Sequence, residues 1–287
     1  MKIAVLQLTS SDEPSENLST VTALMHEAVE QGAEFICTPE VTNCVSMDRA
    51  HQAAVLDYQH NDPTLHGLCQ TAKELSVWLS IGSLALKGGS DGRFLNRSFM
   101  IAPDGKIVAS YDKIHMFDVQ VSPEETYFES SGYAPGSNAV IVDMGDAKVG
   151  MTICYDLRFP QLHRALAKNG ADILVVPSAF SPVTGAAHWE PLLRARAIET
   201  GCFVIAAAQT GTHTSQTGKV RKTYGHSIVV SPWGEVLADL GTLSTEIDTI
   251  TLVDIDLRDV SKARKRIPAL THDRDFSDPK TYESTNR

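Results

Sequence analysis

Hydrophobic residues follow two alternating spacings along the chain, and this alternation indicates the fold class. Runs of adjacent or alternating apolar residues, typical of strands, are separated by segments with apolar residues three and four positions apart, typical of one helix face. Strands are predicted at residues 2–8, 34–38, 77–86, 96–102, 107–111, 149–153, 172–177, 202–208, 224–230, 236–240 and 251–257. Helices are predicted at residues 18–29, 65–75, 160–166, 188–200 and 258–266. Because strands alternate with helices but several are joined by tight turns, we expect two mixed sheets with helices outside them, a layered α/β sandwich.

Two regions are predicted to be loops, and both are candidates for lining a site. Residues 117–136 are polar and rich in turn residues, and they carry Glu124, Glu125 and Glu129. Residues 178–185 form the second region. Long loops in compact domains often line functional sites.

The sequence indicates a single domain that ends in a polar arm. The helix after the second loop is expected to begin near Pro191, and residues from about 267 to 287 form a polar arm expected to cross a surface or a partner subunit. We find no linker, repeat or low-complexity run, so residues 1–287 are expected to form a single domain.

Composition excludes several classes of protein. The chain has 287 residues, 43% of them hydrophobic and 21% charged, which is ordinary for a globular protein. Its net charge of −10 argues against nucleic acid or an anionic membrane as the main partner. No apolar run is long enough to cross a membrane, and the first eight residues are too short for a signal peptide. The five cysteines are odd in number and include no C-x-x-C pair, so a cytoplasmic protein is expected.

Nucleotide, metalloprotease and serine hydrolase motifs are also missing. The sequence contains no G-x-G-x-x-G after the first strand, no G-x-x-x-x-G-K-[ST], no H-E-x-x-H and no G-x-S-x-G. Of the ten histidines, His115, His163, His188 and His226 are most simply interpreted as structural residues. The candidate chemistry therefore rests on other residue types.

Cys154 lies where a predicted strand changes into a helix. The apolar run at 149–153 precedes it, and Pro160 begins the helical pattern that follows. A cysteine at such a turn has its sulfur at the rim of the sheet, and the next backbone N–H groups could stabilise an oxyanion. The alternative is a buried structural thiol, the commoner state of a free cysteine.

Glu40 and Lys113 occupy the same kind of position as Cys154. Each follows the end of a predicted strand, at 34–38 and at 107–111 respectively. A lone glutamate is more often a solvated loop acid. Three chemically active side chains at strand ends are rarely independent surface residues, so we predict that they form one site.

Three segments resemble the signature segments of the nitrilase, or carbon–nitrogen hydrolase, superfamily. They are P-E at 39–40, D-K-I-H at 112–115 and C-Y-D-L-R-F-P at 154–160. The resemblance continues in P-S-A-F at 177–180, H-W-E-P-L-L-R-A-R-A-I-E at 188–199 and Y-G-H-S at 224–227, and it is closest to the Nit amidases. It implies a four-layer αββα sandwich and a homodimer, with no cofactor and no metal. In the C-terminal arm many members have an R-R pair, where this chain has D-R-D at 273–275.

The resemblance also implies a catalytic assignment. The triad would be Glu40, Lys113 and Cys154, with Glu129 as a second glutamate in preference to Glu124 or Glu125. Residue chemistry then suggests that Lys113 favours the Cys154 thiolate and that Glu40 carries protons between thiol, leaving group and water. Lys113 and the backbone N–H of Tyr155 would stabilise the oxyanion.

The expected substrate is a small linear amide that carries a carboxylate. Arg158, four residues after Cys154, suits such a group, although a salt bridge to Asp156 is the alternative. By resemblance, Phe180 and Thr184 would cover and hydrogen-bond the acid end. The amide would then be deaminated glutathione or an ω-amide of a 2-oxo dicarboxylic acid.

Two other functions remain open at this point. A nitrilase, a carbamoyl amino acid hydrolase or an acyltransferase could use the same residues, because one thioester intermediate serves all of these reactions. A non-catalytic scaffold on the same fold is the second alternative.

Overall fold

The computed structural model describes residues 1–121, 125–215, 218, 220–242 and 248–281. The helices of these residues are α1 (Pro14–Glu30), α2 (Arg49–Val55), α3 (Pro63–Leu75), α4 (Pro160–Lys168), α5 (Pro182–Thr200) and α6 (Arg258–Arg266). The strands are β1 (Lys2–Leu8), β2 (Phe35–Cys37), β3 (Trp78–Lys87), β4 (Phe94–Ile101), β5 (Ile107–Asp112), β6 (Asp118–Gln120), β7 (Thr126–Phe128), β8 (Tyr133–Ala134), β9 (Val140–Asp143), β10 (Lys148–Met151), β11 (Ile173–Val175), β12 (Phe203–Ala206), β13 (Ala208–Thr214), β14 (Val220–Tyr224), β15 (Ile228–Val230), β16 (Val236–Asp239) and β17 (Thr249–Asp254).

The strands form two large mixed sheets and one small hairpin. In the first sheet the order is β14-β13-β1-β2-β3-β4-β5, with β17 also paired to β1 and β8 to β4. In the second sheet the order is β16-β15-β12-β11-β10-β9, and β6 pairs with β7 apart from both. The centres of both sheets are parallel, through β1-β2-β3 and β10-β11-β12.

Alternation along β1 shows how the layers are stacked. Ala4, Leu6 and Leu8 pack in one apolar cluster with residues of α1 and α3. Ile3 and Val5 belong to a second cluster, which contains residues of β10, β11, α4 and α5. Since successive side chains of a strand point to opposite faces, the first sheet has helices on one face and the second sheet on the other. The fold is therefore the expected αββα sandwich.

The sheets approach each other closely near the ends of β2 and β11. A Cβ atom on Gly82 would lie 2.0 Å from the Thr38 carbonyl oxygen and 2.5 Å from Cβ of Pro177. Only glycine fits there, and the carboxyl ends of both parallel centres meet at this point.

Several predicted elements and boundaries were wrong. The helix expected near Pro191 begins at Pro182, because a proline in the first turn is pre-organised for a helix, whereas Pro191 lies inside it. The expected loop at 117–136 contains the β6–β7 hairpin, and α2 was not predicted. The strand expected at 224–230 is divided, since Tyr224 ends β14 in the first sheet and Ile228 begins β15 in the second.

Part of the C-terminal arm packs on the rest of its own chain. Asp273 forms ion pairs with Arg164 and Lys168 of α4. Arg164 also donates a hydrogen bond to the carbonyl oxygen of Ala269, at 2.9 Å. In the part of the chain that the structure describes, no helix is both long and apolar enough to cross a membrane.

Candidate active site

Glu40, Lys113 and Cys154 meet at the carboxyl ends of β2, β5 and β10. The Lys113 ammonium donates to Oε1 of Glu40 at 2.8 Å, and the Cys154 thiol hydrogen-bonds the same carboxylate. The backbone N–H of Ala179 donates to Oε2 of Glu40 at 2.8 Å. These three predicted residues are almost fully buried, with exposed fractions of 4%, 2% and 7% for Glu40, Lys113 and Cys154. The structure therefore brings together the residues expected to form one site.

Cys154 begins a short 3-10 turn that ends at Arg158. Its φ of +47° lies in the left-handed region, which non-glycine residues rarely occupy. The carbonyl oxygen of Pro177, which follows β11, accepts a hydrogen bond from the Cys154 N–H at 2.9 Å. A second non-glycine residue of this kind is Val41, with φ of +48°, directly after Glu40.

Asp156 holds the turn in place. Its Oδ2 accepts hydrogen bonds from the Tyr111 hydroxyl at 2.6 Å and the Ile153 N–H at 2.9 Å. Its Oδ1 interacts with the N–H and Nδ1 of His115 at 3.0 and 2.7 Å. Because these groups occupy both oxygens, the alternative of an Arg158–Asp156 salt bridge is not what the structure contains.

Glu129 is the second carboxylate at the lysine. Lys113 donates to both of its oxygens at 2.9 Å, and the Phe117 N–H donates to Oε2 at 2.7 Å. Glu125 lies elsewhere, accepting the hydroxyl protons of Tyr127 at 2.7 Å and Ser181 at 2.8 Å. Glu124 is outside the described residues.

Asn96 joins the two carboxylates. Its Nδ2 donates to Oε1 of Glu40 at 2.9 Å and to Oε1 of Glu129 at 3.3 Å. In both contacts the asparagine NH₂ donates and a carboxyl oxygen accepts. Asn96 was not predicted, because β4 has the sequence F-L-N-R-S-F-M-I and the asparagine is one of three adjacent polar residues.

The electrostatics favour a protonated thiol next to an ionised carboxylate. Burial would raise the pKa of Glu40, but the charge and hydrogen bond of Lys113, with a further contribution from Arg221, lower it below its ordinary value. Burial would likewise lower the pKa of Lys113, yet Glu129 and Glu40 raise it well above the usual range. For Cys154, burial and the Glu40 charge raise the thiol pKa against the opposing effect of Lys113. Lys113 thus lowers the thiol pKa in the expected direction, but burial and the charge of Glu40 outweigh its effect.

A cavity of about 170 Å³ opens above the sulfur. Tyr155, Phe180 and Thr184, all predicted to be at the site, line it. Tyr155 is the second residue of the 3-10 turn, where backbone N–H groups have no acceptor within the turn itself. Its N–H is therefore in a suitable position for an oxyanion.

Arg158 lies beside the cavity and does not line it. Its guanidinium carbon is 5.5 Å from the ring centre of Phe180 and 5.9 Å from that of Tyr155. Its Nη2 is 3.3 Å from Nδ1 of His188. The predicted carboxylate contact thus stays a prediction, separated from the cavity by two aromatic rings.

Two other arginines line the cavity and were not predicted. Arg49, on α2, lies 4.8 Å from the ring centre of Tyr133 and donates to Gln52 at 2.8 Å. Arg221, on β14, donates to the carbonyl oxygen of Ala179 at 2.9 Å. Neither arginine follows the end of a predicted strand or lies in one of the family-like segments. Each reaches the site only through the way the helices and strands pack.

Among the described residues, one group of side chains has the spacing of metal ligands. Ligand atoms of Asp12, Glu13 and His51 lie within 4.8 Å of one another. None of the three lines the cavity, and Nε2 of His51 is 2.9 Å from the Asp12 carbonyl oxygen. The site chemistry described above does not involve this group.

A buried thiol, a glutamate and a lysine at the sheet ends of an αββα sandwich form a site suited to thiol-dependent hydrolysis of carbon–nitrogen bonds. The chain belongs to the carbon–nitrogen hydrolase family, whose sequence profile matches residues 2–265.

Individual relatives agree with this assignment. The deaminated glutathione amidase of Dictyostelium discoideum is 38% identical over 278 residues, covering 94% of this chain and 93% of that protein. The human deaminated glutathione amidase is 38% identical over 276 residues, covering 95% of this chain and 82% of that protein. The crystal structure of the C. elegans NitFhit protein matches with a TM-score of 0.85 at 36% identity over 95% of this chain, which spans 65% of NitFhit.

Proposed function

We propose that this amidase hydrolyses deaminated glutathione, the amide of 2-oxoglutarate with cysteinylglycine, to its free acid and amine. The observation that carries the chemistry is the contact of one carboxylate, Glu40, with both the Cys154 thiol and the Lys113 ammonium. The relatives named deaminated glutathione amidase support the choice of substrate.

The first half of the reaction forms a thioester. Ionised Glu40 accepts the thiol proton as the Cys154 sulfur attacks the amide carbon. The oxygen becomes an oxyanion, stabilised by Lys113 and the Tyr155 N–H, an interaction worth about 3–4 kcal/mol per donor in other enzymes. Glu40 then protonates the amide nitrogen, the C–N bond breaks and the amine leaves.

The second half releases the acid. Glu40 accepts a proton from water while the water oxygen attacks the thioester carbon. The tetrahedral intermediate collapses with cleavage of the C–S bond, and the proton on Glu40 returns to the sulfur. Both halves of the reaction begin with Glu40 accepting a proton, first from the thiol and then from water. Its lowered pKa favours the ionised form that these steps require.

A substrate panel tests this proposal. Product release should be measured with deaminated glutathione, 2-oxoglutaramate, a simple nitrile and an N-carbamoyl amino acid. We expect kcat/KM to be highest for deaminated glutathione and turnover to vanish in Cys154→Ala, while Cys69→Ala, at a half-buried thiol of α3, keeps it. Preference for the nitrile or the carbamoyl compound would assign one of the alternative family activities, and activity of Cys154→Ala would contradict the mechanism.

We further propose a cytoplasmic homodimer. The described cysteines are all free, which suits a reducing compartment. Ile198, Trp233 and Ile267 are 55%, 42% and 56% exposed. They line one cavity of about 510 Å³ between α4, α5 and α6. Clustered exposed apolar residues are typical of protein interfaces.

A further inference from the structure

Arg221 provides a positive charge on one particular wall of the cavity. It lies on β14, is half-buried, and lines the cavity together with Ala179, Phe180 and Ser181. Of the described residues lining the cavity, Lys113 is the cation already held between two carboxylates, whereas Arg221 makes its hydrogen bond to a neutral carbonyl, that of Ala179. A guanidinium has five N–H donors in a planar fork that matches a carboxylate.

Arg221 lies on the side of the site where the leaving amine of the substrate is expected. The same residue, Ala179, accepts from Arg221 through its carbonyl and donates to Glu40 through its N–H, at 2.9 and 2.8 Å. Arg221 is close enough for its charge to lower the pKa of Glu40, in addition to the larger effect of Lys113 and against the effect of burial. Since Glu40 must protonate the leaving nitrogen, the amine half of the substrate lies on this side.

The other arginines belong to different walls. Arg49 contacts Tyr133, a residue that comes shortly after Glu129 in the chain. Glu129 is the second carboxylate that binds Lys113. Arg158 lies behind the rings of Phe180 and Tyr155. Of these three arginines, Arg221 is therefore the one next to the leaving group.

We propose that Arg221 determines specificity by binding a carboxylate on the amine half of the substrate. This inference rests on the proposed amidase function and extends it: the preferred amides are those whose leaving amine is acidic, such as a dipeptide, rather than ammonia or a neutral amine. The proposed substrate ends in the carboxylate of cysteinylglycine, which meets this requirement.

A matched pair of substrates isolates the charge. Deaminated glutathione and its C-terminal carboxamide share every atom of the acyl half and differ only at the far end of the amine half. Wild-type enzyme should prefer the acid form by about 10- to 100-fold in kcat/KM, the range for one charge-assisted pair. Arg221→Gln should lose that preference by slowing the acid form alone, and Arg221→Lys should retain part of it.

The neighbouring residue offers a control. Lys222 is exposed on the same strand and does not line the cavity, so Lys222→Gln should behave like wild type on both compounds. Binding is measured separately by calorimetry in Cys154→Ala, where adding Arg221→Gln should weaken only the acid form.

The outcomes separate the two levels of the proposal. Equal losses on both compounds would mean that Arg221 merely supports Ala179 and Glu40, and would overturn the inference while leaving the amidase function intact. A wild-type enzyme without preference would overturn it too. If wild type hydrolyses neither compound, the proposed function fails, and the specificity inference fails with it.

Discussion

At the scale of single residues, the site depends on how charge is shared around Lys113. The ammonium lies between Glu40 and Glu129, at 2.8 and 2.9 Å. Glu40 must also exchange protons with the thiol, so it cannot be bound too tightly to the lysine. The second carboxylate takes part of the ammonium's hydrogen bonding and leaves Glu40 able to act as a base.

Replacing Glu129 with glutamine tests whether the two carboxylates divide the interactions of Lys113 in this way. Glu129→Gln should lower kcat by about 100-fold or more with a smaller change in KM, because the neutral amide no longer shares the charge of Lys113, which would then interact more strongly with Glu40 and weaken it as a base. Steady-state kinetics on any amide substrate would measure the effect. Glu125→Gln is the matched control, since its carboxylate accepts hydroxyl protons away from the lysine, and it should change kcat no more than a few-fold. Equal losses in the two variants would contradict the assignment of Glu129.

At the scale of elements, the 3-10 turn of Cys154–Arg158 is held mainly through one side chain. Asp156 is completely buried. Its oxygens accept hydrogen bonds from the Tyr111 hydroxyl of β5 and from the backbone N–H groups of His115 and Ile153, the residue before the turn. A buried carboxylate with this many donors fixes a turn that local propensity alone would not form, because Cys154 must adopt a left-handed backbone.

Stability measurements can test the role of Asp156. Asp156→Asn should lower the free energy of unfolding by about 3 kcal/mol, because an amide NH₂ would face the surrounding donors. Tyr111→Phe removes only one donor and should cost about 1 kcal/mol. Urea denaturation measures both. If the asparagine variant were no less stable than the phenylalanine variant, the turn would be held by other contacts.

The same scale shows what could be predicted from the sequence. Glu40 and Cys154 were predictable because each follows a strand of a parallel sheet centre, β2 or β10, and the carboxyl ends of the two centres meet. Lys113 follows β5, an antiparallel strand of the first sheet, and was predictable from its place after a strand end. Asn96 and Arg221 were not, because each lies beside other polar residues inside a strand, and its spatial neighbours depend on which strands pair. The start of α5 was misassigned because its two prolines, Pro182 and Pro191, carry the same local signal.

At the scale of the whole molecule, the exposed apolar cluster of Ile198, Trp233 and Ile267 governs assembly in our proposal. Ile198→Glu should raise the dimer dissociation constant by about 30-fold or more, since a charge would have to be buried in the interface. Light scattering over a concentration series would measure it. Val108→Glu, at a position 47% exposed on β5, is the control and should remain dimeric. A wild-type protein that is monomeric at every concentration would contradict the dimer.

The left-handed backbone at Val41 and Cys154 has a consequence for how the enzyme tolerates heat. Each such conformation costs about 1–3 kcal/mol and persists only while its surroundings hold it. At Val41 the Ser83 hydroxyl accepts from the backbone N–H at 2.7 Å, and at Cys154 the Pro177 carbonyl does so at 2.9 Å. Since contacts can open locally before a domain unfolds as a whole, we expect activity to fall at a lower temperature than the one at which the sheets unfold. Loss of activity and of circular dichroism at the same temperature would contradict this expectation.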